Sequence, residues 1–491
     1  MGGPAPGAGS GMTSTSDLVK QSATELARLV RERELSPVEL VQAYIERIEA
    51  VNPVLNAVVL PRFDGAIEEA RAAERAVSTG GPLGPLHGVP YTAKECIEVA
   101  GMPCCDGSRI FEGNVSTQDA VVIESLRDAG AILLGKTNIP EFAFHYDSNN
   151  LVYGATLNPH DRSRSVGGSS GGEGAALASG MTAFSVGSDY GGSIRVPCHF
   201  CGVVGIKPGP GVVPYAGHFP PQHPVSIQRW SMIGPMARYV EDLELLLPVF
   251  ARPNLPRDSG VLPRTFEREN PDGLRVAAFE DDGLVPVDRA CREAVRMAAA
   301  ALREDGHEVV EERPPLQAEV RDAFLAVALA ETEAMLVPFI GDRTGELSPQ
   351  IANLLERAPE VDLTLAHYLG RMVQVTELQH VVYEWLERYP IAISPIASMP
   401  AFPVGTETLT VDGTEYDEID FFSLSTYVNA MALPAAAVPI TRSEEGLPVA
   451  VQVIGRRGRE MEVLAVARKL EAAFGGWMDP DETAAEAVAP A

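Results

Sequence analysis

Residues 167–205 read GGSSGGEGAALASGMTAFSVGSDYGGSIRVPCHFCGVVG. Two Gly-Ser turns, Gly167 to Gly172 and Asp189 to Arg195, flank one short helical run of small residues. Glycines at this density admit backbone angles that other residues resist, and they let the main chain approach a ligand closely. A lone GGS would pass for a flexible loop. A phosphate cradle fails because no Lys-Ser or Lys-Thr follows the glycines at P-loop spacing. Gly167 to Gly171 formally fits the G-x-S-x-G nucleophile elbow, but an elbow follows a buried strand, and residues 158–165, NPHDRSRS, are polar loop. Cys198-His199-Phe200-Cys201 has no second pair at zinc spacing, and c-type haem attachment wants the histidine after the second cysteine. Ordinary packing is the expected role of those cysteines. What remains for the two turns is nucleophilic catalysis by serine with an unusual base.

Outward from this stretch the chain alternates helix and strand signals. Upstream, Ser116 and Asp119 read as a capping box, Val121 to Arg127 as a helix stopped at Gly130, and Ala131 to Leu134 as a buried strand. Downstream, Arg275 to Phe279 reads as a strand, Asp288 as an N-cap, Ala290 to Arg303 as a helix ending at Gly306, and Glu308 to Val310 as another strand. Such alternation implies a layered α/β fold. Two amphipathic helices precede it, over Thr24 to Arg33 and from Ser36-Pro37 onward, with Ser36 as N-cap. Residues 316–387 are helical with little strand signal and read as an insertion in one α/β domain spanning 12–479. Apolar segments resume at Ile391 and at Ala435 to Ile440. Residues 1–11, MGGPAPGAGSG, look like a flexible leader, and 480–491 like a loose tail.

The same central stretch, with its surroundings, resembles the amidase signature family from about Ser22 to Trp477. The densest match is GGSSGGEGAALASG followed by VGSDYGGSIRVP and Gly202 to Pro208; Leu86 to Lys94, LHGVPYTAK, resembles the family's lysine segment. Gly135 to Asn138, Glu141 to Ala143, Tyr153-Gly154, Asn158-Pro159, Gly234 to Met236, and Gly446 to Val449 with Gln452 also fit. The resemblance implies a large mixed twisted β-sheet covered by helices on both faces. It implies a Ser-cisSer-Lys triad: Ser193 as nucleophile, Ser169 after a cis peptide as proton relay, and Lys94 as base. The two serines stand 24 positions apart, 193 minus 169, as in that family. Lys94 must be neutral to act, which requires desolvation, and the apolar run before it suits burial. Without the serine motifs, an exposed lysine on an edge strand would be preferred.

The N–H groups of Tyr190, Gly191, Gly192 and Ser193 are implied as an oxyanion hole, supported by Ser170, Asp189 and Arg195. Phe142, Phe144, Tyr146 and Trp230 are candidate pocket residues, and Phe219, Phe324, Leu369 and Met372 are further apolar candidates. Departures from the family pattern are small: Glu95 follows Lys94 where Asp is common, Cys104-Cys105 replace hydroxyl residues, and Cys198 replaces a small one. The implied activity is cleavage of small, largely apolar amides through an acyl-enzyme, with ester and carbamate (urethane) hydrolysis beside it. The family also contains the glutamine-amidase subunit of tRNA-dependent amidotransferases, and a non-catalytic binding protein would keep the same fold; both stay open as alternatives.

Composition narrows the partners. A formal charge of -28, from 67 acidic and 39 basic residues, repels nucleic acid and anionic lipid. Every apolar run is broken by Pro, Gly or charge, so no membrane span is expected. The six cysteines do not form a secreted framework and no export signal is evident, which places the chain in the cytoplasm. No histidine has a partner pattern, His87 and His145 included, and no H-E-x-x-H occurs, so neither metal nor cofactor is expected. A homodimer is compatible with the resemblance.

Overall fold

The computed structural model describes residues 15–480, apart from 222–223, 254–256, 259, 262, 358–363, 407, 412–413 and 417. The expected leader 1–11 and almost all of the tail lie outside the described residues. The frame is one eleven-stranded mixed sheet. In chain order its strands are β1 (Val58–Pro61), β2 (Pro90–Lys94), β3 (Ile132–Thr137), β4 (Phe184–Asp189), β5 (Val204–Lys207), β6 (Met232–Ala237), β7 (Arg275–Ala278), β8 (Glu308–Glu311), β9 (Ile391–Pro395), β10 (Ala435–Arg442) and β11 (Pro448–Gly455). Across the sheet they run β1-β3-β2-β4-β6-β5-β10-β11-β9-β7-β8. Strand β2 is parallel to both β3 and β4, while β4 is antiparallel to β6.

The central strands are buried from end to end, β2, β3, β4 and β6 all being fully enclosed. That is why their sequences lack the polar-apolar alternation of a half-wetted sheet. Helices are started by the expected caps at two points, Ser36 Oγ accepting from Val38 N and Asp288 Oδ1 from Ala290 N, and by a further one, Ser22 Oγ accepting from Glu25 N. The expected capping box at Ser116 and Asp119 does not form. Ala120 is the N-cap of the Val121–Asp128 helix, and Asp119 Oδ1 instead accepts from Ala100 N at 2.8 Å, tying two loops together. The strand after Gly130 runs on to Thr137, three residues past the expected Leu134, because Gly135, Lys136 and Thr137 continue the pairing with β1 and β2.

Region 316–387 is helical as expected: Gln317–Ile340, Pro349–Arg357 and Leu365–Arg388. Contrary to the expectation that no stretch suits a membrane, Gln317–Ile340 is long and apolar enough by length and composition. Its side chains explain the composition: Phe324, Leu325, Ala328, Leu329, Met335, Leu336 and Phe339 face cavities beside the sheet. Weak polarity here serves an internal wall.

Candidate active site

Lys94 ends β2 in the middle of the sheet and is fully buried. The edge-strand alternative is therefore excluded. Its Nζ stands 2.6 Å from Ser169 Oγ, 3.0 Å from Ser188 Oγ and 3.4 Å from the Ser188 carbonyl oxygen. Burial lowers its pKa from the ordinary lysine value, against the attraction of the acidic side chains Glu173, Asp106 and Asp189. Glu173, also fully buried, shows the opposite shift: desolvation pushes its carboxyl up to about 7.

The two Gly-Ser turns meet around this amine. The Gly168–Ser169 peptide is cis, as the resemblance implied. The Ser170 N–H donates to the Ser193 carbonyl at 3.1 Å, and Ser170 Oγ donates to the Ser188 carbonyl at 3.2 Å, so the turns are stitched to each other and to β4. Their glycines fill tight space: a Cβ on Gly168 would come within 2.3 Å of the His145 carbonyl oxygen, which only a hydrogen permits.

Asp189, at the end of β4, is the organiser of the second turn. Its carboxylate accepts from Gly192 N at 2.8 Å and Ile194 N at 3.1 Å, and it pairs with Arg195 Nη2 at 2.9 Å, both side chains being wholly buried. Burial alone would raise this carboxyl, but the Arg195 charge and its hydrogen bonds outweigh that and hold it well below the usual carboxylate range. Arg195 Nη1 donates onward to Gln452 Oε1 at 2.6 Å, and Asn429 Nδ2 donates to Asp189 at 2.9 Å. Sequence pattern does not single out Asn429. Nothing in its surroundings there marks a residue that closes a network across 240 positions.

The structure gives the candidate oxyanion donors different partners. The Gly192 N–H, expected to face a substrate, is committed to Asp189. Among the described residues the N–H groups of Gly191 and Ser193 have no partner.

Two narrow chambers adjoin the turns. One of about 90 Å³ touches Ser193, Gly191, Tyr190, Phe144, Tyr146, Phe324 and Thr426. The other, about 60 Å³, is ringed by Phe142, Phe144, Tyr190, Tyr215, Phe219 and Phe339, with Asp106, His218 and Glu331 among them. They share Phe144, Tyr190, Ala328 and Thr332 as wall. Of the four expected pocket residues, Phe142, Phe144 and Tyr146 line a chamber. Trp230 does not: it is fully buried behind the wall, stacking with Tyr190 and Phe324 at centroid distances of 6.3 and 5.5 Å. Leu369 points outward, 52% exposed. His145 lines the Ser193 chamber. His87 holds the Ala73 carbonyl oxygen and His199 the Ala450 N–H, both structural roles. No group of three or more metal-ligating side chains occurs among the described residues.

Fold and site together define a mixed α/β protein with a buried lysine–serine pair beside a second serine in a glycine-rich turn. The sequence model of the Amidase family matches residues 39–464, so the chain belongs to the amidase signature family. It is 34% identical to indoleacetamide hydrolase of Bradyrhizobium diazoefficiens over 92% of this chain and 86% of that one. It is 32% identical to a glutamyl-tRNA(Gln) amidotransferase component of Oleidesulfovibrio alaskensis over 93% and 97%. The solved structure of 6-aminohexanoate cyclic dimer hydrolase superimposes with a TM-score of 0.82 at 31% identity, covering 95% of this chain and 99% of that one. The chain is an amide-hydrolysing enzyme of this family.

Proposed function

We propose that the chain hydrolyses small, neutral, largely apolar amides, and related esters and carbamates, through an acyl-enzyme on Ser193. The observation that carries this is the buried Lys94 amine at 2.6 Å from Ser169 Oγ, with the Ser193 turn hydrogen-bonded to the Ser169 turn. Ser193 Oγ attacks the acyl carbon as its proton passes to Ser169 Oγ, whose own proton passes to neutral Lys94. The proton then returns by the same route to the leaving nitrogen, which an amide needs because a bare amide anion is a poor leaving group. Water attacks the acyl-enzyme in the mirror sequence and releases the acid. The Gly191 and Ser193 N–H groups meet the developing oxyanion, each such donor supplying about 2–4 kcal/mol.

The chambers favour apolar groups on the substrate. Among the described residues neither is lined by lysine or arginine, and the acids there, Asp106 and Glu331, are buried. Glu331 is occupied, accepting from Tyr368 Oη at 2.6 Å and from Ser226. The glutamine-amidase reading has a relative at 32% identity behind it. It needs a cation to hold the α-carboxylate of free glutamine, and the chambers offer none among the described residues. The six cysteines are free and buried, which agrees with a reducing, cytoplasmic setting.

The test is release of nitroaniline from neutral 4-nitroanilides of increasing acyl length, and of aniline from a simple N-aryl carbamate, by the purified chain. Turnover by wild type and silence of Ser193→Ala support the reading. An active Ser193→Ala variant refutes the nucleophile, and turnover of glutamine alone, only with added partner chains, refutes the substrate class.

A further inference from the structure

Lys94 has a second hydroxyl neighbour, and behind that hydroxyl stands an imidazole. Ser188 Oγ lies 3.0 Å from Lys94 Nζ on one side and 3.0 Å from His218 Nε2 on the other. The other ring nitrogen, Nδ1, is 3.1 Å from the Phe219 carbonyl oxygen. A carbonyl oxygen can only accept, so Nδ1 carries the imidazole proton and Nε2 of the neutral ring presents its lone pair. The Ser188 hydroxyl then donates to Nε2 and has only acceptor capacity left for Lys94. A neutral amine has two N–H bonds and one lone pair. With its N–H groups directed at Ser188 Oγ and the Ser188 carbonyl, the lone pair is left for the Ser169 hydroxyl, 2.6 Å away.

We propose that His218 is a positioning residue that sets the direction of the hydrogen bonds around Lys94, through Ser188, so that the amine lone pair faces Ser169. The proposal rests on the reading of Lys94 as base. His218 belongs to no catalytic pattern in the sequence, and it reaches the site from the loop between β5 and β6, bridged to Ile97 and stacked on Tyr215 at 4.8 Å between ring centroids.

Protonation would reverse the device. With Nε2 protonated, His218 donates to Ser188 Oγ, the Ser188 proton turns toward Lys94, and it competes with Ser169 for the lone pair. Titratable groups face both ends of this chain. Around His218 they include the Cys96 thiol at 3.5 Å, the Tyr215 phenol and, lining the same chamber, the Tyr190 phenol and the Asp106 and Glu331 carboxyls. Around Lys94 they are Cys96, Glu173, Asp106 and Asp189. Burial pushes the Cys96 thiol and the Tyr215 phenol well above their ordinary values, so both stay neutral while a histidine titrates.

The experiment measures kcat, KM and the pH profile of kcat/KM on one neutral anilide for wild type, His218→Gln, His218→Phe, Ser188→Ala, the Ser188→Ala/His218→Phe double variant and Lys94→Met. A glutamine oxygen at the Nε2 position accepts from Ser188 but cannot titrate. His218→Gln is expected to keep kcat within about threefold of wild type, while the slope of the acid limb falls by about one, the share of the lost imidazole proton. His218→Phe is expected to lower kcat roughly tenfold with KM unchanged, the cost of one lost orienting hydrogen bond. The double variant should be no worse than the poorer single one.

An unchanged kcat in a folded His218→Phe protein, or additive losses in the double variant, would overturn the proposal. Should His218→Phe fail to fold, an acid limb of His218→Gln identical to wild type overturns it equally. An active Lys94→Met variant would instead strike the assignment of the base itself.

Discussion

The site is built from two kinds of material. One side is the sheet centre and its glycine turns, where Lys94, Ser169, Ser188, Asp189 and Arg195 are buried, Lys94 held by Ser169 and Asp189 paired with Arg195. The other is the wall from the Gln317–Ile340 helix, which offers Phe324, Ala328, Leu336 and Phe339 to the chambers, with Glu331 and its partners Tyr368 and Ser226 among them. The first is over-determined: a carboxylate such as Asp189 accepts from backbone and side chains of several segments at once. The second is held by apolar packing, which tolerates exchange of one side chain for another of similar volume. On the proposed reading the chemistry falls to the first part and the selectivity to the second.

The contrast can be broken by substitution on each side. The largest effect is expected from Lys94→Met, which keeps volume but removes the base: kcat should fall by about 10³ or more with the fold intact, measured by anilide turnover and thermal unfolding. Retention of activity would end the reading of the sheet side as catalytic. Next is Asp189→Asn, which leaves the Arg195 charge buried without its counter-charge. A loss of about 3–5 kcal/mol in unfolding free energy is expected by denaturant titration. On the wall, Phe324→Ala should lower kcat/KM for long-chain acyl anilides roughly tenfold and for the acetyl anilide little, since an apolar contact discriminates by about 1–3 kcal/mol. An equal loss on both would show that the helix shapes the catalytic turn as well as the pocket. Smallest is Leu369→Gln on the exposed face of the Leu365–Arg388 helix, where a change within about 0.5 kcal/mol is expected.

A pH experiment sharpens the same comparison. Glu173 is held more protonated in the folded chain than in the unfolded one, because burial raises its pKa from about 4.5 to about 7. The folded state therefore binds the extra proton in that window, and unfolding free energy falls as pH rises from about 4.5 to 7, by up to about 1.4 kcal/mol per unit from this group. Glu173→Gln should flatten that slope. Asp189 contributes the other way: its depressed pKa adds stability that is present above the unfolded value of about 3.9 and is lost only in stronger acid.

Much of this was legible in the sequence where local chemistry decides the outcome. Ser36 and Asp288 cap the helices they precede, and the resemblance carried by the serine turns and the LHGVPYTAK run pointed to Lys94, Ser169 and Ser193, of which the fold brings Lys94 within 2.6 Å of Ser169. What escaped depends on long-range closure. Asn429 reaches Asp189 and His218 reaches Ser188 from distant segments, and no periodicity marks either. Trp230 was misplaced for the related reason that aromatic identity says a ring is buried without saying whether it lines a cavity or backs it.

The most direct test of the central claim is peptide mapping by mass spectrometry after the purified enzyme reacts with a fluorophosphonate or a slowly hydrolysed aryl carbamate. The account predicts a single adduct on Ser193 that is lost in Ser193→Ala and strongly slowed in Lys94→Met. An adduct on Ser169 or Ser170, or unchanged labelling in Lys94→Met, would contradict it.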